Sequence, residues 1–124
     1  MDTSETYIKM CDCPEIQGQR LAVEWEQGDW ALLCGRADSR LVVISDPTTK
    51  LFAGKAVWLP TQHQLQEMLD ETPMEAVQGL AAFGIYFDFG YKTEDTFEQF
   101  WLRHVMFEKH NKRWNGEAWI LDPA

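Results

Sequence analysis

Apolar and polar positions change rhythm once along this chain, near Pro60. Before it, apolar residues alternate with polar ones or run in short blocks; after it, they recur at three- and four-residue intervals. A period of two marks strands and a period near 3.6 marks helices. The pattern therefore predicts a β-rich stretch over 20–59, an α-rich stretch over 60–111 and a final strand over 117–121.

The clearest helix runs from Thr96 to His110. Phe97, Trp101, His104, Val105 and Glu108 share one face with Phe100 beside them, and Leu102, Met106 and Phe107 widen the apolar arc past half the girth. Thr96 with Gln99 three residues on makes a capping box, in which the hydroxyl accepts from a free N–H and the amide reaches back. Glu94, Asp95 and Glu98 stand at the start, while Arg103, Lys109, His110, Lys112 and Arg113 stand late, as the helix dipole favours. Asn111 reads as a left-handed stop and Asn115-Gly116 as a turn. So wide a stripe predicts a core helix packed on two sides; the sharper alternative makes one side a partner surface.

Two more start signals precede it. Thr61 and Gln64 cap a helix with Leu65, Met68 and Leu69 inward. Thr72-Pro73-Met74-Glu75 opens another, with proline at the first helical position, running through Val77, Leu80, Ala81 and Gly84 towards Phe87, with Gly90 past its end. Gly79 and Gly84 each cost about 1 kcal/mol relative to alanine, which close packing on a neighbouring element would explain.

Ahead of Pro60, Met1 to Glu5 reads as loose. Thr6 to Cys13 reads as a short helix with Tyr7, Ile8 and Cys11 inward. Pro14 stops it or begins another turn carrying Ile16. Strand candidates follow at Leu21–Trp25, Trp30–Cys34 and Leu41–Ser45, with a fourth near Leu51-Phe52 and Ala56–Leu59. Gln27-Gly28-Asp29 makes a hairpin of the first two, Gly35 to Ser39 turns the chain again, and Asp46-Pro47 ends the third. The unbroken Leu41–Ile44 run predicts burial on both faces. The last strand, Glu117–Leu121 with Trp119 inward, is free to rejoin this sheet. The expected fold class is α+β, in one domain spanning 1–124: an N-terminal helical segment, a small antiparallel sheet of three to four strands, three helices and a short C-terminal strand.

Composition narrows the function more than the fold. The net charge of −9 argues against broad contact with a phosphate backbone. Six Trp and seven Phe in 124 residues make the core or an interface rich in aromatics. Three cysteines, Cys11, Cys13 and Cys34, form a poor disulfide framework. The N-terminus lacks the pattern of a signal peptide, and no apolar run approaches the ~20 residues of a membrane span. The expected location is the cytoplasm, with no membrane partner.

The chemistry-bearing residues are scattered. Cys11, Cys13, Cys34, His63, His104 and His110 lack the paired spacings of structural zinc sites, so the thiols read as small apolar groups. No metal and no cofactor is expected. His63/Glu67 and His104/Glu108 each stand i, i+4 on one helix face, a geometry usable for a metal or for acid–base work. The plainer reading is a surface pair at His63 and an interior histidine at His104, where burial beside Trp101 moves its pKa. Ser4, Ser39 and Ser45 lie in no nucleophile elbow, and no phosphate-binding loop is present. No catalytic residue is assigned.

Charge is uneven. Between Glu67 and Glu98 eight acids face one base, Lys92, while Arg103 to Arg113 carries four bases against Glu108. The acids form a solvated face or imitate a DNA backbone. The bases, with Trp114 and Trp119, complement a helix dipole or hold a phosphate and stack a base.

The blocks WLPTQHQLQEML at 58–69, EQFWLRHVMFEK at 98–109 and KRWNGEAW at 112–119 resemble a family of small proteins encoded by bacteriophages and prophages. YIKMC at 7–11, EIQ at 15–17 and GDW at 28–30 are similar to that family's early segments. The resemblance implies a bacterial, mobile-element origin and supplies no catalytic residues. The leading expectation is an accessory protein that contacts a host or phage protein through Arg103, Arg113, Trp114 and Trp119. A nucleic-acid-associated module using the same basic end is one alternative, and a metal-dependent enzyme around His104 and Glu108 is another.

Overall fold

The computed structural model of the chain describes residues 1–21, 25–34, 39–44, 55–86 and 95–121. Internal packing groups residues 3–61 into one unit, and residues 1–2 with 62–124 into another. The division falls where the residue pattern changes period. The fold class is the expected α+β.

The first unit begins with α1 (Glu5–Cys11) and α2 (Pro14–Leu21). The Ser4 hydroxyl caps α1 by accepting from the Tyr7 N–H at 3.2 Å, and Pro14 opens α2 rather than merely ending α1. Strands β1 (Trp30–Cys34), β2 (Ser39–Val43) and β3 (Lys55–Leu59) form an antiparallel sheet of order β2-β1-β3. Trp30 faces Val43 on one side and Leu59 on the other, which fixes the register.

Two strand expectations fail here. Leu21 closes α2 instead of opening a strand, and β1 pairs with β2 and β3 on its two sides rather than with the stretch before the turn; residues 22–24 of that expected strand lie outside the described residues. The Gly28 turn survives, with φ +93°, and the chain around it bonds to Ile44: the Gly28 N–H donates to the Ile44 carbonyl and the Ile44 N–H to the Asp29 carbonyl, both at 2.8 Å. The Leu41–Ile44 run is not buried on both faces either. β2 is an edge strand with Leu41 41% and Val43 49% exposed. The doubly buried strand is β3, where Val57, Trp58 and Leu59 are all at most 2% exposed, under α1 and α2. The β3 edge is closed by a side chain. Gln17 donates to the Trp58 carbonyl at 2.9 Å and accepts from the Trp58 N–H at 2.8 Å, so its amide stands in for one residue of a further strand and blunts the edge. The expected break at Asp46-Pro47 and the Leu51-Phe52 strand lie outside the described residues.

The second unit holds α3 (Gln62–Glu67), α4 (Pro73–Tyr86), α5 (Phe97–His110), β4 (Lys112–Trp114) and β5 (Trp119–Leu121). α3, α4 and β4 all pack on α5. Trp101, Leu102, Val105 and Met106 are each at most 1% exposed, so the wide apolar arc belongs to a core helix. Phe97, placed inward by its spacing, stands 54% exposed at the first turn, resting edge-on against Trp101.

Both helix-start signals of this unit with described bonds form. The Thr72 hydroxyl accepts from the Glu75 N–H while the Glu75 carboxylate accepts from the Thr72 N–H. The Thr96 hydroxyl accepts from the Gln99 N–H, and the Gln99 amide has a further partner. It donates to Asp2 at 2.8 Å, and the Thr96 hydroxyl donates to the same carboxylate. Asp2, expected to be loose, is thus buried at the head of α5. Asn111 ends α5 in the left-handed conformation, φ 54° and ψ 42°.

The final strand does not rejoin the first sheet. β5 pairs antiparallel with β4, whose Lys112 and Arg113 continue in sequence the basic end of α5; Trp114 faces Trp119, Arg113 faces Ile120 and Lys112 faces Leu121. Among the described residues no helix is long and apolar enough to cross a membrane.

Candidate interaction surface

The β4–β5 ribbon is built by its turn. The Asn115 side-chain oxygen accepts from the Glu117 and Ala118 N–H groups, both at 2.8 Å, and the Asn115 N–H donates to the Ala118 carbonyl at 3.0 Å. Gly116 takes φ +103°, which favours glycine. A side-chain oxygen that replaces a backbone acceptor is the usual device of an asparagine turn.

Alternation along the two strands then sorts the side chains. Trp114 and Trp119 share a face and meet with ring centroids 5.2 Å apart, tilted 60°, and both are half-buried. Arg103 of α5 reaches towards the same place. Its guanidinium makes a two-point contact with Asp95 and donates weakly to the Trp114 carbonyl at 3.5 Å. Its side chain is only 16% exposed. Arg103 thus ties α5 to β4 at the Trp114 carbonyl, and Trp119 of β5 stacks on Trp114 within the ribbon. Arg113 points from the other face, opposite Ile120, and both are exposed. Ile120 is 46% and Leu121 68% exposed. These two aliphatic residues carry no distinctive sequence signal; counting alternation outward from the Asn115-Gly116 turn would have placed Ile120 beside Arg113.

The remaining candidates separate. His104 is 1% exposed, walled by Phe83 at 5.1 Å and Trp101 at 6.1 Å between ring centroids. Its Nδ1 is buried without a hydrogen-bond partner. Burial pushes its pKa below the usual imidazole range, against a smaller opposing pull from Glu71. Glu108 is exposed, so the pair does not share an environment. His63 and Glu67 do meet, at 2.9 Å on the open surface. Among the described residues no three His, Cys, Asp or Glu side chains converge on a point that could hold a metal.

The first unit offers a cleft of about 330 Å³ lined by Cys13, Gln17, Arg20 and Trp25 among others. Burial pushes the Cys13 thiol up to about 11, so it stays protonated at neutral pH and is a poor nucleophile. Cys11 is a fully buried free thiol, and the Cys34 side chain lies outside the described residues. Comparison of the chain with protein-family models, with curated proteins and with solved structures finds no match.

Proposed function

We propose that this chain is a non-enzymatic accessory protein of phage or prophage origin, acting in the cytoplasm by contact with another protein. The contact is the outward face of the β4–β5 ribbon. One observation carries the reading: the ribbon turns the aliphatic Ile120, 46% exposed, to solvent directly across from the exposed Arg113 on the same face. Aliphatic residues next to an arginine are a common composition for a protein interface, where apolar burial supplies affinity and the cation orients the partner. The phage or prophage origin rests on the sequence blocks alone.

The geometry favours a protein over a nucleic acid as partner. Arg103 is neutralised by Asp95, and Trp114 and Trp119 stack on each other, which leaves fewer free cations and free ring faces for phosphates and bases.

The surface is tested by Arg113→Glu combined with Ile120→Asp. Both residues point outward, so the fold, followed by circular dichroism and thermal melting, should be kept while partner binding is lost. Trp114 is a poorer probe, because removing it also dismantles the Trp119 stack. Binding that survives the double substitution in a folded protein contradicts the assignment.

A further inference from the structure

We infer that the cleft of the first unit binds an uncharged purine, as the free base or its nucleoside.

The cleft lies where the α1–α2 junction and α2 meet β3, and its volume of about 330 Å³ is that of a small ligand pocket. Pro14 and Ala56 give it apolar walls, and Trp25 brings an indole ring. Trp25 is half-buried, yet among the described residues its indole makes no hydrogen bond and no ring contact. A tryptophan drawn partly out of water ordinarily finds an acceptor for its N–H and neighbours for its faces. Here both stay available to an occupant.

Arg20 supplies a second open donor. Its side chain is 9% exposed, and its Nε and Nη2 hold Asp29 at 2.9 and 3.0 Å. Its Nη1 has no hydrogen-bond partner among the described residues. Gln17 differs: its amide is fully engaged by the Cys11 and Trp58 backbone, so it fixes the wall. The cleft therefore asks for acceptors to meet fixed N–H groups and for a flat face to lie on an indole.

Charge selects among the molecules that qualify. Asp29 offsets Arg20, the Glu26 carboxylate lies 3.8 Å from Nη2, and the exposed Asp12 belongs to the lining. Burial pushes the Cys13 thiol up to about 11 and keeps it neutral. A phosphate or carboxylate meets an excess of negative charge here, whereas a neutral heterocycle does not. A purine is a fused bicycle like indole, with acceptors on its ring edges. Stacking on tryptophan suits any purine, and a guanidinium N–H suits a ring-nitrogen or carbonyl edge.

NMR titration of the full chain with adenosine and with inosine tests it, following the Trp25 indole N–H and the backbone amides of the cleft. At least one nucleoside should shift these resonances saturably with a Kd below about 1 mM, and its monophosphate should bind about tenfold more weakly or worse. Ala56→Leu narrows the cleft without touching the Arg20–Asp29 pair, and Trp25→Ala removes the stacking face. Each should weaken binding by about tenfold or more in protein that keeps the wild-type amide spectrum elsewhere; either variant suffices if the other fails to fold. No saturable shift with either nucleoside up to about 10 mM, unchanged affinity in a folded variant, or a monophosphate that binds as tightly as its nucleoside overturns the inference.

Discussion

Asp29 is 1% exposed and ionic, and its environment shows what that requires. Arg20 approaches its carboxylate through Nε at 2.9 Å and Nη2 at 3.0 Å, the Glu26 N–H donates to it at 2.8 Å, and the Arg20 guanidinium lies 4.3 Å over the Trp58 ring. A buried charge stripped of its partner is costly, by about 3–5 kcal/mol. Arg20→Met should therefore lower stability by about that much, read from the urea midpoint of the chain; a loss under about 1 kcal/mol, the worth of an exposed pair, contradicts the account. His104 makes the opposite point, a polar group enclosed without a partner for Nδ1. The folded imidazole has a pKa below its ordinary 6.5, so below that pH the unfolded chain binds more protons and folding weakens. Stability from this group is complete above 6.5 and is lost as pH falls below it. His104→Leu should flatten that part of the urea-midpoint profile and change stability at pH 7 by no more than about 1.5 kcal/mol. A profile unchanged by the substitution would show that another group sets the acid limb.

At the scale of elements, the α4–α5 contact depends on missing side chains. A Cβ at Gly84 would lie 2.8 Å from Cζ of Phe100, whereas one at Gly79 would lie 3.3 Å from Nε2 of His104. Alanine gains about 1 kcal/mol of helix propensity, but overpacking costs about 1–3 kcal/mol. Gly84→Ala should be net destabilising and Gly79→Ala milder, by chemical denaturation; a stabilising Gly84→Ala would mean the two helices do not approach so closely. The two glycines were legible in the sequence as a close-packing signal because their cost is local. Thr72, Thr96 and Asn111 were legible for the same reason: a cap is decided within three or four residues. What stayed hidden was set by distant partners. The Leu41–Ile44 run looked more buried than Ala56–Leu59, yet sheet position, with α1 and α2 over β3, reverses that order. Gln17 gave no hint that its amide would close a strand edge 41 residues away. β4 was hidden because Lys112 and Arg113 continue the basic tail of a helix, and only pairing with Trp119–Leu121 makes a strand of them. For the candidate site, Arg113 was named and lies exposed, Arg103 and the two tryptophans are partly enclosed, and Ile120 and Leu121 were missed.

At the scale of the whole molecule, an acidic chain carries an outward strand face that sets the cation Arg113 directly across from the exposed aliphatic Ile120. Net charge keeps such a protein away from nucleic acid in general without preventing a local basic surface from choosing a protein partner. The most direct test is affinity capture by the tagged full chain from lysate of the cells that carry its gene. It is run beside the folded Arg113→Glu/Ile120→Asp protein, with mass spectrometry and nuclease-sensitive absorbance as readouts. The account predicts a protein retained in fixed ratio by the wild type and absent from the variant. The same protein retained equally by both, or nucleic acid that washes away as salt rises, would contradict it.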